Sequence, residues 1–400
     1  MIKYIKSNYI MLFLLIPFFK PICFQYYSTL QGLENLFVGW KILSAAVCFV
    51  FVVSYMWSYS RLPKLVAFVS LFEICIVVST LINRGDLMRA LIDMVSIVSY
   101  TALLILGIKY NGSGIVHLLS RLLGVLLLIN LLSVVLFPTG LPADLYTNPE
   151  NPLYFMVIDN GSALFLSFSI AIFAIDGLIS QGAVRLGGKI LILCAILNGV
   201  LVKSATAIFT VALICIALLF ILKSDFSKHQ NPAILFLVYI GVFIYLITMQ
   251  DNIVSEFILK NIFNRSANFT GRYFLWESAI NMIKAQPWFG YGRSAQDYIS
   301  AWGGYFSSHN YVLETLLQGG IVSLGFFILT VIFAIKKSLY TRHLKITAVL
   351  VFGLVTVLIA ALMEATVHSV YIFGIISLCA GSYYLEVRQE KKEAWIKGLF

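Results

Sequence analysis

The chain has 400 residues, of which 60% are hydrophobic and 12% are charged. A soluble domain carries roughly 25% charged residues, so the composition excludes an ordinary soluble protein and predicts a polytopic membrane protein. The formal net charge of +10 comes mostly from short segments between apolar runs, which is typical of the positive-inside pattern and not of a nucleic-acid-binding face.

Apolar runs long enough to cross a membrane follow one another along the chain. A spanning helix needs about 20 apolar residues, and twelve candidates occur, at residues 8–26, 36–57, 64–82, 87–108, 115–137, 160–179, 189–202, 205–222, 232–249, 312–335, 346–363 and 369–385. The first run lacks a small-residue cleavage site, so we interpret it as a span and not as a signal peptide. All six cysteines lie within such runs, so we expect neither disulfides nor a cysteine-ligated metal.

The seventh candidate span is short and almost meets the eighth at Lys203 and Ser204. The two are either a tight hairpin or one broken helix, and the predicted number of spans is therefore eleven to twelve. The predicted fold class is all-α, with residues 1–400 forming a single integral membrane bundle.

Lysine and arginine residues are distributed unequally between the two ends of the predicted spans. If the N-terminus is inside, the inner segments hold most of them, among them Arg61, Lys64 and Lys336, whereas 138–159 and 364–368 hold none. The positive-inside rule then places both termini in the cytoplasm and the long segment 250–311 outside. In the opposite orientation that segment would face cytosolic nucleotide-sugars.

Several ionisable residues lie within or at the ends of the predicted spans, where they usually face a cavity or one another. They are Lys20, Lys41, Glu73, Arg89, Asp93, Arg121, Asp176, Lys203 and Glu364. Lys20, Lys41 and Arg89 are near span ends, so we expect their side chains to extend to the membrane interface. Arg89 and Asp93 are four residues apart and can pair on one helix face.

Segment 250–311 is the one long, mixed-charge connection, and long ordered loops tend to be functional. A helix is predicted in its middle, from the N-cap Thr270 to Gln286, because Pro287 prevents continuation. An apolar stripe that includes Trp276 suits a short helix in the membrane interface, although a helix packed on the bundle would show the same stripe.

Three arginines lie within 29 residues of this segment: Arg265, Arg272 and Arg293. Arg272 stands in the first turn of the predicted helix, and a helix N-terminus with an arginine is a phosphate-binding arrangement. Gly290 and Gly292 permit positive φ and close approach of a ligand to the backbone. The set favours an anionic lipid head group as ligand.

His309 is the only histidine of the segment, and Asn310 is a good N-cap for the span that follows. The positive end of a helix dipole favours neutral imidazole, the form that acts as a base. The alternative is a histidine that only caps the helix or bonds a neighbour. The sequence has no metal-binding cluster, P-loop or dinucleotide fingerprint, so we predict no metal and no cofactor.

Four motifs stand in order in this region: Thr270-Gly-Arg272 with Trp276, Pro287-Trp-Phe-Gly-Tyr-Gly292, His309-Asn-Tyr-Val-Leu-Glu314 and Gly319-Gly-Ile321. With the span count and their place in the largest external loop, they resemble the O-antigen ligase and polymerase (Wzy/WaaL-type) superfamily. The motifs cover about 50 residues. Together they are fairly specific for the superfamily, but they distinguish a polymerase from a ligase much less well.

The resemblance implies a GT-C-like bundle and a metal-independent, inverting glycosyltransferase whose donor is a glycan on undecaprenyl pyrophosphate. It implies that His309 deprotonates the attacking hydroxyl and that Arg272, with the other loop arginines Arg265 and Arg293, holds the pyrophosphate. The family often has a Ser-Arg pair before the eighth span, where Lys203 is the candidate cation here, although a lysine cannot bind bidentately. The supporting residues are Asn310, Glu314, Trp276, Gly290 and Gly292.

We therefore predict a polymerase of surface-polysaccharide repeat units (capsule, exopolysaccharide or O-antigen) in the cytoplasmic (inner) membrane. The alternative is a ligase that moves finished glycan to another acceptor. A flippase or transporter would spread cavity-facing charges over many helices, whereas the polar residues here concentrate in one loop. Expected partners are the undecaprenyl-pyrophosphate-linked oligosaccharide, membrane lipid, a chain-length regulator and a flippase, and no nucleic acid.

Overall fold

The computed structural model describes residues 2–146, 151–158, 161–223, 232–248, 272–293, 307–341, 344–364 and 367–396. Within these ranges the chain is helical, and the only extended pairing is an isolated antiparallel bridge between Leu153 and Ile158. The predicted all-α fold is confirmed.

The α-helices of the described ranges have the following bounds in chain order. They are α1 (Ile2–Ile5), α2 (Asn8–Leu15), α3 (Gln31–Tyr59), α4 (Lys64–Ile82), α5 (Leu87–Asn111), α6 (Ser113–Leu136), α7 (Ser162–Gln181), α8 (Leu186–Val202), α9 (Ala205–Lys223), α10 (Pro232–Thr248), α11 (Arg272–Ala285), α12 (Tyr311–Ser338), α13 (Lys345–Ala361) and α14 (Val370–Ile396). Seven described segments are long and apolar enough to cross a membrane, and five shorter apolar ones accompany them. Each predicted span coincides with one of these, so the protein is a multi-pass membrane protein.

The bundle is built around α7 and α13, whose side chains are buried nearly all round. α3 instead leaves most of its apolar residues uncovered, among them Phe49, Val50 and Trp57. A helix that is apolar all round belongs in a protein core or against lipid. α4, α5, α12 and α14 pack on one another beside this centre, and they carry the site described below.

The seventh and eighth predicted spans form a tight hairpin, not one broken helix. Lys203 ends α8 in the left-handed conformation, with φ 58°, and α9 begins two residues later. A Cβ atom placed on Gly199 would lie 3.9 Å from the side chains of both Ala207 and Val211. α9 therefore runs back along α8.

The first predicted span is shorter than expected. α2 continues as a 3-10 turn, Ile16–Phe19, and the helix then ends because Lys20, which precedes Pro21, has an extended ψ of 129°. A proline disfavours the helical conformation in the residue before it. The interruption places Lys20 in the wall of the cavity described below.

α12 is broken at Gly320, which has φ 67° and ψ −169°. Backbone groups freed inside a membrane bundle must find partners within the protein. The turn of residues 287–292 supplies them: the Tyr291 N–H donates to the Leu317 carbonyl over 2.6 Å, and the Ile321 N–H donates to the Pro287 carbonyl over 2.8 Å. This turn is therefore part of the α12 backbone structure.

Glycine is required where the turn meets the break. A Cβ atom would lie 2.1 Å from the Trp288 oxygen at Gly320, 2.4 Å from the Leu317 oxygen at Gly290, and 2.3 Å from the Thr80 Cα at Gly292. All three glycines have positive φ, which they adopt at little cost. The sequence suggested a ligand beside Gly290 and Gly292, but the backbone of α12 and α4 occupies that space.

Replacing Gly320 by alanine should destabilise the protein strongly, because the new methyl group meets the Trp288 carbonyl and because this combination of φ and ψ, essentially restricted to glycine, costs other residues about 1–3 kcal/mol. We expect Gly320→Ala to lower the thermal midpoint in detergent by several degrees or to abolish the monodisperse peak in size-exclusion chromatography. Gly325→Ala is the matched control on the same helix, since nothing lies within 4 Å of a Cβ there. Equal stability of the two variants would contradict this account of the break.

Candidate active site

A cavity of about 570 Å³ lies at the end of the bundle where α5, α12 and α14 begin. Residues of the 151–158 segment form part of its wall, so it is on the side that we predict to be external. The ionisable residues of the wall are Lys20, Lys41, Asp93, His309, Glu364 and His368. One cavity therefore combines the predicted base with cations and carboxylates from distant parts of the chain.

Ser308, which precedes the predicted base, is held on several sides. Its carbonyl accepts from Trp276 Nε1 over 2.9 Å. Its N–H and its hydroxyl both donate to Glu314 Oε2, over 3.0 Å and 3.1 Å. Trp276, Ser308 and Glu314 are each at most 2% exposed, and we call these three residues the Ser308 clamp. It fixes the backbone from which His309 projects into the cavity wall.

His309 itself has φ 48°, a left-handed conformation that is uncommon for a residue with a side chain. Asn310 begins α12 directly after it, and Asn310 Oδ1 accepts from the N–H groups of Val312 and Leu313 over 3.0 Å and 3.2 Å. Asn310 is thus the predicted N-cap. Strained backbone of this kind persists where the surroundings determine it, often at functional sites.

α11 connects the Ser308 clamp to the 287–292 turn, which supplies hydrogen bonds at the break in α12. Trp276, Ala279 and Met282 pack against Leu313 and Leu317, and the Tyr291 hydroxyl donates to the Met282 carbonyl over 3.0 Å. The described part of the apolar stripe of this helix therefore packs on the bundle, as the alternative interpretation expected.

A chain of ion pairs runs beside the cavity. Arg293 Nε lies 3.3 Å from Asp93 Oδ2, and the same oxygen is 3.7 Å from His368 Nε2. His368 Nδ1 lies 3.0 Å from Glu73 Oε1. Glu73 is fully buried in the middle of α4. Asp93 therefore pairs with Arg293, and the predicted pairing with Arg89, whose side chain is exposed, is wrong.

The backbone of Arg293 is held where the two helices α4 and α5 meet. Its N–H donates to the Thr80 hydroxyl over 2.8 Å, and its carbonyl accepts from the Asp86 N–H over 2.9 Å. Asn83 Nδ2 also donates to the Gly290 carbonyl over 3.1 Å. The arginine side chain therefore starts from a defined position next to Asp93.

The network includes residues that sequence reasoning missed. Glu73 and Asp93 are ionisable residues within spans, but nothing in their spacing connects them to Arg293 or to His368, which lies in the short 362–369 connection. The sequence indicates only that an ionisable residue in hydrocarbon has a high free energy and needs a partner. It does not indicate which residue that partner is.

Lys20 and Lys41 both line the cavity. That their side chains reach the membrane interface stays a prediction. Lys20 pairs with Glu34. Lys41 has no ion pair with any residue in the part of the chain that the structure describes. Lys41 is therefore a cation in the cavity wall that the carboxylates of Asp93 and Glu34 influence only at longer range than a direct ion pair.

The other predicted cations are dispersed. Arg272 is the first residue of α11, at the position expected for it. Arg265 and Thr270 lie outside the described residues. Lys203 is exposed at the tip of the α8–α9 hairpin and does not belong to the described cavity wall. Of the predicted pyrophosphate ligands, the structure places Arg293 next to the cavity, through its pairing with Asp93.

Residues 190–328 match the model of the Wzy_C family, described as O-antigen ligase. The resemblance to the O-antigen ligase and polymerase superfamily is confirmed. The matched segment contains the α8–α9 hairpin, α11, the 287–292 turn and His309, together with the break in α12. The match does not separate the polymerases of the superfamily from its ligases. A comparison with curated proteins finds no match.

His368 is the titratable centre of the ion-pair chain. Burial lowers its pKa, but the Glu73 carboxylate and, more weakly, Asp93 raise it by more, so the pKa of His368 lies above its usual value. A histidine with a raised pKa stabilises the folded state at pH values below its unfolded pKa, and this contribution disappears as the pH rises through the folded pKa.

His368→Gln should therefore lower the thermal midpoint more at about pH 6 than at about pH 9. The measurement is thermal unfolding of wild type and variant in the same detergent across this range. A difference between the two proteins that does not change with pH would show that His368 is not charged in the folded state.

Proposed function

We propose that the protein is a polymerase of surface-polysaccharide repeat units, which transfers the growing glycan from undecaprenyl pyrophosphate to a lipid-linked repeat unit. The family match supports a glycosyltransferase-type enzyme that acts on lipid-linked glycans. The observation that carries the proposal is the cavity in which His309 shares a wall with Lys20 and Lys41, next to the Arg293–Asp93 pair.

His309 is assigned as the general base. A sugar hydroxyl is a poor nucleophile, and a positioned base contributes roughly 10²–10⁴ in rate. His309 takes the hydroxyl proton while the acceptor oxygen forms its bond to the anomeric carbon of the donor. The bond between that carbon and the pyrophosphate oxygen breaks, and the pyrophosphate leaves with the electron pair. Attack from the face opposite the leaving group inverts the anomeric centre.

The cations are assigned to the pyrophosphate. Charge that develops on a leaving group is stabilised most effectively by groups that are already in place. Lys41, which makes no direct ion pair with a described residue, is suited to this role, and Arg272 and Arg265 of the loop remain predicted ligands. Arg293 can exchange its contact with Asp93 for a phosphate oxygen, since guanidinium binds both groups in the same geometry.

The cations next to the cavity come from two distant parts of the chain and suit a polymerase and a ligase alike, since both take a pyrophosphate-linked donor. Lys20 and Lys41 come from the N-terminal part of the chain, and Arg293 and the predicted arginines come from the 250–311 segment. The description of the matching family as O-antigen ligase keeps the ligase as the second candidate.

A test uses purified protein in membranes that contain a lipid-linked single repeat unit as the only glycan. We expect a ladder of lengthened lipid-linked products. Adding a separate glycolipid acceptor should leave that ladder unchanged. Transfer only to the separate acceptor, with no lengthened lipid-linked product, would establish the ligase and overturn the polymerase.

In the same assay, His309→Ala and Arg272→Ala should each give folded, membrane-inserted protein without detectable polymer, since loss of a base alone costs roughly 10²–10⁴ in rate. Arg89→Ala is the control, because Arg89 lies at the same end of the bundle with its side chain exposed. Wild-type product length in both His309→Ala and Arg272→Ala would refute the assigned roles.

Trp276 is assigned as a positioning residue that acts through Ser308. Trp276→Phe removes the 2.9 Å bond to the Ser308 carbonyl and keeps most of the buried ring. We expect kcat to fall about tenfold, since a misplaced catalytic group costs up to roughly 10²-fold, with KM nearly unchanged.

The control for Trp276→Phe is Trp57→Phe, because Trp57 is 89% exposed on α3. Thermal midpoints of both variants are measured beside the kinetics, so that a loss of folded protein is recognised. A parallel rise in KM, or a kcat equal to that of Trp57→Phe, would show that the clamp does not position His309.

A further inference from the structure

A second cavity of about 570 Å³ lies at the opposite end of the bundle from His309. It is formed where α3 passes to α4 and where α5 and α12 approach their C-terminal ends, with α14 beside them. Four cations line it: Arg61, Lys64, Lys109 and Lys337. None of these residues has a part in the reaction proposed above.

Aromatic rings hold two of the cations. Lys109 Nζ lies 4.0 Å from the centre of the Tyr59 ring and 4.6 Å from that of Tyr55, and it donates to the Tyr55 hydroxyl over 3.4 Å. Lys337 Nζ lies 5.7 Å from the ring of Tyr340. Rings attract an ammonium group but leave its charge uncompensated. The lysines are therefore oriented but still able to bind an anion.

The charged residues in the described lining of the cavity are all basic. Among the described residues that line it there is no aspartate or glutamate. Four like charges in one cavity repel one another, and an anion placed among them removes that repulsion. At the opposite end of the described bundle, some ionisable residues pair with opposite charges, as Lys20 does with Glu34 and Arg293 with Asp93. Among the described residues, the cations of the second cavity have no such partner.

Further tyrosines indicate the level of the membrane surface. Tyr340 is 73% exposed, and Tyr383 and Tyr384 are 50% and 42% exposed; all three line the cavity. Tyrosine concentrates at the interface between lipid and water, where the ring is in apolar surroundings and the hydroxyl is wet. Basic pockets between membrane helices at this level bind phosphate-containing head groups.

We propose that the second cavity binds a phosphate-bearing anion. Arg61, Lys64, Lys109 and Lys337 meet its phosphate, and the tyrosine hydroxyls meet the oxygen atoms next to it. The phosphate comes either from an anionic phospholipid such as phosphatidylglycerol or from free inorganic phosphate. The site is separate from the cavity that contains His309, and this inference goes beyond the proposed function.

The experiment measures binding to the full-length protein in detergent by native mass spectrometry and by thermal shift. The probes are phosphatidylglycerol, phosphatidylcholine and inorganic phosphate. Arg61→Gln/Lys337→Gln is the test variant. Lys336→Gln is the control, because Lys336 is the exposed neighbour of Lys337 on α12 and does not belong to the described wall.

Wild type and Lys336→Gln should bind phosphatidylglycerol in preference to phosphatidylcholine, and the test variant should bind it about 25-fold more weakly, at roughly fivefold for each cation removed. Phosphatidylglycerol binding that inorganic phosphate does not displace assigns the site to a lipid. A thermal shift with inorganic phosphate alone, lost in the test variant, assigns it to a soluble anion. Equal binding of every probe by test variant and control would overturn the proposal.

Discussion

The break in α12 is the constraint on which the site depends. A membrane helix cannot leave backbone groups without partners, and the conformation of Gly320 takes the helix out of register at that point. The 287–292 turn restores the missing hydrogen bonds. The same turn is followed by Arg293, and α11 before it carries Trp276 to Ser308. The turn that is hydrogen-bonded to the break in α12 therefore sets the positions of both the candidate base and the cation next to Asp93.

The ion-pair chain adds a condition on charge. Glu73, Asp93, Arg293 and His368 are two carboxylates, one guanidinium and one imidazole, so with both carboxylates ionised their charges sum to zero when His368 is protonated. Buried charges in a membrane bundle are retained where they are paired, and the raised pKa of His368 agrees with that balance. Because Asp93 and His368 also line the cavity, a phosphate that draws Arg293 away from Asp93 would change the charge that His368 experiences.

The sequence predicted what depends on local signals. The bounds of α4 agree with the predicted 64–82 because apolar length is a local property, and Asn310 was predicted as a cap from its place before the span. The function of Gly290 and Gly292 was misread because their neighbours are Leu317 and Thr80, which only the folded chain brings near. The partnership of Glu73 with His368 joins residues 295 positions apart, and no periodicity connects them.

The conformation of His309 explains why so many buried residues surround one loop end. A base on a flexible loop would have to be ordered during each turnover, and that ordering would add to the barrier. Here the left-handed backbone of His309 is fixed before any substrate arrives, by the Ser308 clamp and by the Asn310 cap. The unfavourable free energy of the left-handed conformation is offset during folding by hydrogen bonds in a buried site. The His309-to-Glu314 motif can thus be understood as one base and the residues that hold its backbone in place.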